Sequence, residues 1–234
     1  MTKDPQPGFT AAPEKVRAAL AGSAGVGPFF VLSVGDDGGD WRPAAAMYSG
    51  GLRGLIDDTA LRLGVTERRV AASTVQLSYA ARLWSPVLYC ALVHGLVPDL
   101  TRLRVVLAPS VRLNVPEPRG WQGPDLAALA YRMVVSQHLE PMGAGLPVKV
   151  AAGLLWGNAA GAMTAALRVL VAVRPGLGAA AREMGRTLLG MGALRRTGEL
   201  TGPGLEFRRR SCCLYYRVPD GGLCGDCPLP GVPR

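Results

Sequence analysis

The sequence predicts an α+β fold: a predominantly helical body, a few short strands, and a cysteine-rich segment at the C-terminal end. Three observations carry that expectation. Apolar runs of helical length recur between about residues 66 and 189, separated by proline and glycine. The β-rich patches are few and short. Four of the five cysteines fall between residues 212 and 227. We divide the chain into a body, residues 1–204, and a C-terminal segment, residues 205–234.

Residues 1–12 read as a loose leader, and residues 11–21 as a short helix with Pro13 and Glu14 near its start. Residues 29–34 are β-rich, and Gly38 and Gly39 supply turn dihedrals before Trp41, so a hairpin is expected there. Thr66 and Glu67 resemble a helix start, and that helix should run to about Trp84, where Ser85-Pro86 interrupts it. A second apolar helix follows over 87–96. Residues 103–109 and 111–115 read as two strands around a Pro109-Ser110 turn. Pro124-Asp125 opens a helix to about residue 139.

The stretch 150–173 is almost wholly apolar and long enough to span a bilayer. It is rich in glycine and alanine, however, and holds Asn158 and Arg168, so it reads as a buried helix. Pro175-Gly176 breaks it, residues 177–189 form another helix, and 190–204 are a glycine-rich connection. No internal repeat is seen.

The chain of 234 residues is long enough to bury a substantial core, and with 49% hydrophobic and 18% charged residues it is no disordered polyelectrolyte. The net charge is +9, nearly all of it arginine; lysine occurs only at positions 3, 15 and 149. Apart from Arg208-Arg209-Arg210 the cations are scattered, and 6% aromatics give no stacking platform. Nucleic acid is therefore not an expected partner. The polar start contains no signal-type apolar stretch, which points to the cytoplasm, without a transmembrane span; peripheral membrane contact stays open. In that compartment clustered cysteines are ligands or redox groups rather than disulfides. Cys90 sits in an apolar run and reads as a small buried hydrophobe. His94 and His138 are single histidines on apolar helices, more in keeping with packing than with ligation.

Cys212, Cys213, Cys224 and Cys227 are spaced as an adjacent pair, ten residues, and a pair separated by two. Four thiolates are a site for iron or zinc. The Cys224-Gly225-Asp226-Cys227 turn offers two of them, and Gly221-Gly222 loosens the preceding loop. Neighbouring side chains on a strand point to opposite faces, so Cys212 and Cys213 can serve one centre only if the backbone kinks beside them. Structural zinc sites usually pair two Cys-x2–4-Cys turns, which the adjacent pair fits poorly. A thioredoxin-like dithiol needs a helix after it, and here Pro228 and the last residues follow. Spacing favours iron–sulfur and leaves zinc open.

The run from Phe207 to Arg217 and the close from Gly222 to Pro228 resemble the C-terminal signature of FhuF-like ferric-siderophore reductases. Residues 80–86, which include Arg82, Trp84 and Pro86, and residues 154–160, which include Trp156 and Asn158, are similar to stretches of the same family. The resemblance covers about residue 60 to the end. It implies a 2Fe–2S cluster held by Cys212, Cys213, Cys224 and Cys227, and one-electron reduction of Fe(III) in hydroxamate-type siderophores. Reduction weakens the hold of hard oxygen donors on the metal and so releases Fe(II). No catalytic residue beyond the cluster is expected. Arg208, Arg209, Arg210 and Arg217 are candidates to tune the cluster or to dock an acidic electron donor such as a ferredoxin or flavodoxin-like protein. Arg82, Trp84, Trp156 and Asn158 are candidates to line a siderophore cleft, against the plainer reading of helix packing. No nicotinamide or flavin fingerprint is present, so electrons should come from elsewhere. Two other readings remain: an iron–sulfur electron carrier without its own siderophore site, and a zinc-stabilised binding module.

Overall fold

The structure is a computed structural model that describes residues 9–107, 110–202 and 204–229. Strand β1 (Phe9–Thr10) leads into helix α1 (Pro13–Ala24), whose Pro13 stands in the first turn, where its missing N–H costs nothing. A single 3-10 turn (Pro28–Phe30) precedes β2 (Ser33–Val34), then β3 (Arg42–Pro43). Helix α2 (Ala44–Ala46) passes through a π-helical stretch, Met47–Gly51, into α3 (Leu52–Leu63). The longest helix, α4, runs over Arg68–His94 and ends on Gly95 in the left-handed conformation (φ 64°).

Strands β4 (Val97–Pro98), β5 (Arg104–Val106), β6 (Arg112–Val115) and β7 (Gly120–Gln122) follow. Helix α5 (Leu126–Tyr131) is capped by the Asp125 carboxylate, which accepts from Ala128 N at 2.9 Å. It continues through a π-helical stretch, Arg132–Leu139, into α6 (Glu140–Ala144). Helix α7 (Ala152–Val173) and, after a 3-10 turn, α8 (Gly178–Leu189) complete the body. Strands β8 (Gly198–Thr201) and β9 (Glu206–Arg209) lead into the cysteine segment.

Helices α4 and α7 pack along one another at the centre, with α1 and α3 also against α4 and α8 against α7. Many buried residues of α7 are small, Gly157, Ala159, Ala160, Gly161 and Ala162 among them, which lets neighbouring backbone come close to this helix. This helix is long and apolar enough to cross a membrane, yet 72% of its apolar window is buried inside the fold. That agrees with the buried-helix reading.

The two strands expected over 103–109 and 111–115 form as β5 and β6, paired antiparallel with Val105 opposite Leu113; Pro109 of the expected turn lies outside the described residues. The expected hairpin over 29–44 does not. Its strands lie at opposite edges of a four-stranded sheet ordered β2-β6-β5-β3; β2 runs parallel to β6, and β3 antiparallel to β5. The turn glycines of that segment connect two edges rather than two neighbours. The expected break at Pro86 is also absent, because α4 runs through it. Proline inside a helix costs about 3 kcal/mol. Burial of apolar side chains on both sides of it, Leu83, Trp84, Val87 and Leu88 among them, offsets that cost. A three-stranded antiparallel sheet, β1-β7-β4, closes the other side of the sheet region. The glycine-rich connection 190–204 contains β8, and the boundary placed at residue 204 falls in the turn of the β8–β9 hairpin.

His138 is buried and hydrogen-bonded on both nitrogens, and His94 packs its ring 5.7 Å from Tyr89. Cys90 is fully buried, and burial pushes its thiol up to about 12.

Candidate metal centre

The site grows from strand alternation. On β9, Glu206 and Arg208 face solvent while Phe207 and Arg209 face inward. The strand ends at Arg209, and Arg210 N still donates to Thr197 O at 2.8 Å. Ser211 then anchors the chain to the start of α7, its Oγ donating to Gly153 O at 2.7 Å. The backbone turns just after the cysteine pair. Leu214 takes a left-handed conformation (φ 68°), and its N–H donates to Cys212 Sγ at 3.3 Å. This is the kink that an adjacent pair demands.

A 3-10 turn, Tyr215–Arg217, and a loop through Gly221 and Gly222 bring the second pair back. The Cys224–Cys227 turn is closed by Cys227 N donating to Cys224 O at 3.0 Å. Its Asp226 carbonyl accepts from Arg209 N at 3.2 Å, which ties the returning loop to β9.

The fold thus brings the four cysteines together. The Cys213 and Cys224 thiols are close enough to perturb each other's ionisation. Their mutual interaction lowers the Cys213 thiol pKa and raises that of Cys224. Cys212 lies near enough to Cys213 and Cys227 to feel their charge, and burial is the main cause of its raised pKa. Among the described residues, no three His, Cys, Asp or Glu side chains converge tightly enough to hold one metal ion. A 2Fe–2S cluster does not ask for that convergence, since its four cysteines divide between two irons.

Beside the thiols lies a buried cation. Arg209 is 2% exposed and has no carboxylate within ion-pair reach among the described residues. Its Nη2 donates to Asn158 Oδ1 at 2.9 Å, and its Nε is buried without a partner. Its charge draws down the thiols of Cys212, Cys213 and Cys224. Asn158, fully buried on α7, donates Nδ2 to Ser73 O at 3.1 Å and to Ser73 Oγ at 3.0 Å. Ser73 Oγ on α4 donates in turn to Cys213 O at 2.7 Å.

Two glycines make the room. A Cβ on Gly157 would stand 2.2 Å from Ser211 Oγ, and one on Gly161 would stand 2.6 Å from Asp226 Oδ2 and 3.2 Å from Arg209 Nη2. The cysteine segment therefore lies on a glycine-paved face of α7.

The other candidates separate. Asn158 belongs to the cysteine site rather than to a cleft, because every polar atom it has is taken by Ser73 and Arg209. Trp84 is wholly buried in the core and so lines no cleft. Trp156 is half-buried. Arg82 is half-buried, donates Nε to Val111 O at 2.8 Å, stacks 4.5 Å over the Phe29 ring, and leaves Nη1 without a partner. It lines a cavity of about 150 Å³ with Thr74 and Ser78.

Of the arginine run, Arg208 and Arg210 are exposed. Arg217 pairs with Glu67 (2.6 Å) and hydrogen-bonds to Tyr216, so its charge is met locally rather than turned on the thiols. The Arg217 and Arg69 hydrogen bonds hold the Glu67 carboxyl below its usual range. Glu67 therefore ties α4 to the cysteine segment instead of capping the helix with its side chain.

Sequence reasoning missed Ser73, Gly157, Gly161, Ser211 and Glu67 as parts of this site. The Gly-x3-Gly spacing at 157–161 was a readable signal of close approach on one helical face; the others carried none.

The residues present fit an anionic cluster. Four thiols lie on one short, partly exposed segment, an amide N–H already points at Cys212 sulfur, and a buried guanidinium with an unsatisfied Nε has no direct ion-pair partner among the described residues. Comparison with known proteins agrees: residues 209–229 match the family described as FhuF 2Fe-2S C-terminal domain. No curated protein and no solved structure matches the chain. The match begins at Arg209 and takes in all four cysteines, so residues 209–229 are an FhuF-type 2Fe–2S segment.

Proposed function

We propose that the chain is a ferric-siderophore reductase, which delivers one electron to Fe(III) held by a hydroxamate-type siderophore and so releases Fe(II). The observation that carries this reading is an FhuF-type cysteine segment seated at the surface of a much larger helical body. Cys212, Cys213, Cys224 and Cys227 are the proposed ligands, two to each iron. The cluster supplies single-electron chemistry. The chain's own residues hold the ligand loops: Ser73 fixes the Cys213 carbonyl, Asp226 O is tied to β9, and the Leu214 amide faces the Cys212 sulfur.

Cys212, Cys224 and Cys227 are half-exposed, and the neighbouring Tyr215 and Leu223 are 39% and 42% exposed. These two side chains offer an apolar rim against which the organic part of a siderophore can rest while its iron stands close to the thiolates. The cavity beside Thr74, Ser78 and Arg82 offers the Ser78 hydroxyl and the Arg82 guanidinium as donors for siderophore oxygens. Its volume suits a part of such a ligand rather than the whole. Arg208 and Arg210 have no ion-pair partner among the described residues, which suits an acidic electron donor such as a ferredoxin or flavodoxin-like protein. A reducing compartment such as the cytoplasm fits five free thiols.

The test mixes dithionite-reduced protein with ferrioxamine under argon in the presence of an Fe(II) trap. The reductase reading expects the cluster to reoxidise as trapped Fe(II) appears. A cluster that stays reduced removes that reading and leaves the electron-carrier alternative.

A further inference from the structure

We propose that Arg209 is the buried counter-ion of the 2Fe–2S cluster, held by Asn158 of α7, so that a contact between α7 and β9 sets the cluster's reduction potential. The inference rests on the four cysteines being the ligands and is independent of what the reduced cluster acts upon.

The argument begins with an unmet charge. Strand alternation turns Arg209 inward while Arg208 and Arg210 stay in water. A buried guanidinium is retained only where an anion or a full set of acceptors compensates its lost hydration. Among the described residues no carboxylate pairs directly with it: Asp226 Oδ2 and Arg209 Nη2 both border the Gly161 position without an ion-pair contact, one guanidinium nitrogen bonds to a neutral amide oxygen, and Nε has no partner. The anions on that side are the thiolate set and, beyond ion-pair distance, the Asp226 carboxylate of the same cysteine turn.

The holder is specific. Ser73 Oγ spends its proton on the Cys213 carbonyl, so it accepts from Asn158. The Asn158 amide nitrogen therefore faces Ser73, and its oxygen faces Arg209. The reverse orientation would set two donor groups against each other at Arg209. The chain of bonds from Cys213 O through Ser73 and Asn158 to Arg209 begins and ends on the cysteine segment. It passes through both central helices on the way, and Gly161 leaves space for the guanidinium.

A thiolate-ligated cluster is anionic and gains one further negative charge on reduction. A fixed cation in a poorly solvated site favours the reduced state more strongly than a screened surface cation does.

The test is an anaerobic, dye-mediated visible titration of the holoprotein and its variants. Arg209→Gln is expected to shift the reduction equilibrium at least tenfold toward the oxidised cluster, about 59 mV for one electron. Arg209→Lys should recover most of that shift. Asn158→Ala should shift it in the same direction, but less, and Arg208→Ala should leave it within about twofold. An Arg209→Gln protein that binds its cluster and keeps the wild-type potential within twofold overturns the proposal. If Arg209→Gln loads no cluster, loading of Arg209→Lys decides: recovery supports a charge requirement, and failure of both overturns it in favour of shape. The ligand assignment fails separately, as a Cys224→Ser protein that retains the wild-type spectrum.

Discussion

Two buried polar constellations flank α4, and they differ in whether they are complete. In one, His138 Nε2 faces Leu100 O at 2.9 Å, so that nitrogen carries the proton. Nδ1 therefore accepts from Tyr48 Oη at 2.7 Å, and Tyr48 accepts from Tyr79 Oη at 2.6 Å. The line ends on a carbonyl, and burial holds both phenols protonated. In the other, Ser73, Asn158 and Arg209 form a similar line that ends on an unsatisfied guanidinium nitrogen beside four thiols. Burial of polar groups is common to both. The completed line reads as structure; the other leaves a buried cation beside four thiols.

The largest expected effect tests whether the unfinished line needs its seat on α7. Gly161→Leu places a branched side chain where Asp226 Oδ2 and Arg209 Nη2 now lie, so the cysteine turn and the guanidinium must both be displaced from α7. Loss of the 2Fe–2S visible spectrum is expected, with helical circular dichroism retained. A fully loaded variant would show that the segment docks elsewhere.

Next comes the completed line. Tyr48→Phe leaves the His138 Nδ1 acceptor and the Tyr79 donor unpaired in the core, at a cost of about 2–3 kcal/mol. Denaturant unfolding should show that loss, while the potential of the loaded cluster stays at its wild-type value. A shifted potential would join the two constellations and undo the contrast.

A pH series sharpens it. Burial lowers the His138 pKa to about 4 from an ordinary 6.5. Between those values the unfolded chain binds a proton that the folded one refuses, so stability is full above about 6.5 and falls as pH drops toward 4. The fall is at most about 3 kcal/mol. Urea midpoints of wild type and His138→Gln at pH 5.0 and 7.5 check it: the wild type should lose more. Equal losses would mean that His138 is charged in the fold.

The smallest effect concerns the exposed cations. Arg208→Ala and Arg210→Ala should each change stability by less than about 0.5 kcal/mol. If these residues dock an acidic donor, the same variants should slow reduction by an acidic ferredoxin and weaken its salt dependence. Unchanged rates would remove them as a docking face.

Much of the local structure was legible. The two strands in 103–115 were legible because they lie close together in one short stretch. The apolar face of α7 and the Asp125 cap read as helix for the same reason. The hairpin expected over 29–44 misled because its turn glycines satisfy a local rule, while its two strands find better partners in β6 and β5. Pro86 misled because a local helix breaker was outweighed by packing on both sides. At the site, the four cysteines were legible as a spacing. Arg209 was legible only as one of three adjacent arginines, and Asn158 as a polar residue that needed partners, without saying which.

By itself, then, the sequence determined the chemistry: four thiols spaced to close on one another, an arginine run leading into them, and apolar helices long enough to back them. Those are properties of neighbouring residues, and short spacings leave the chain few ways to arrange them. The tertiary structure alone decided which arginine would lose its water, which helix face would receive the cysteine loops, and that Ser73, 140 residues upstream of Cys213, would hold its carbonyl. Those outcomes depend on contacts between distant segments, whose free energy exists only after the helices have packed.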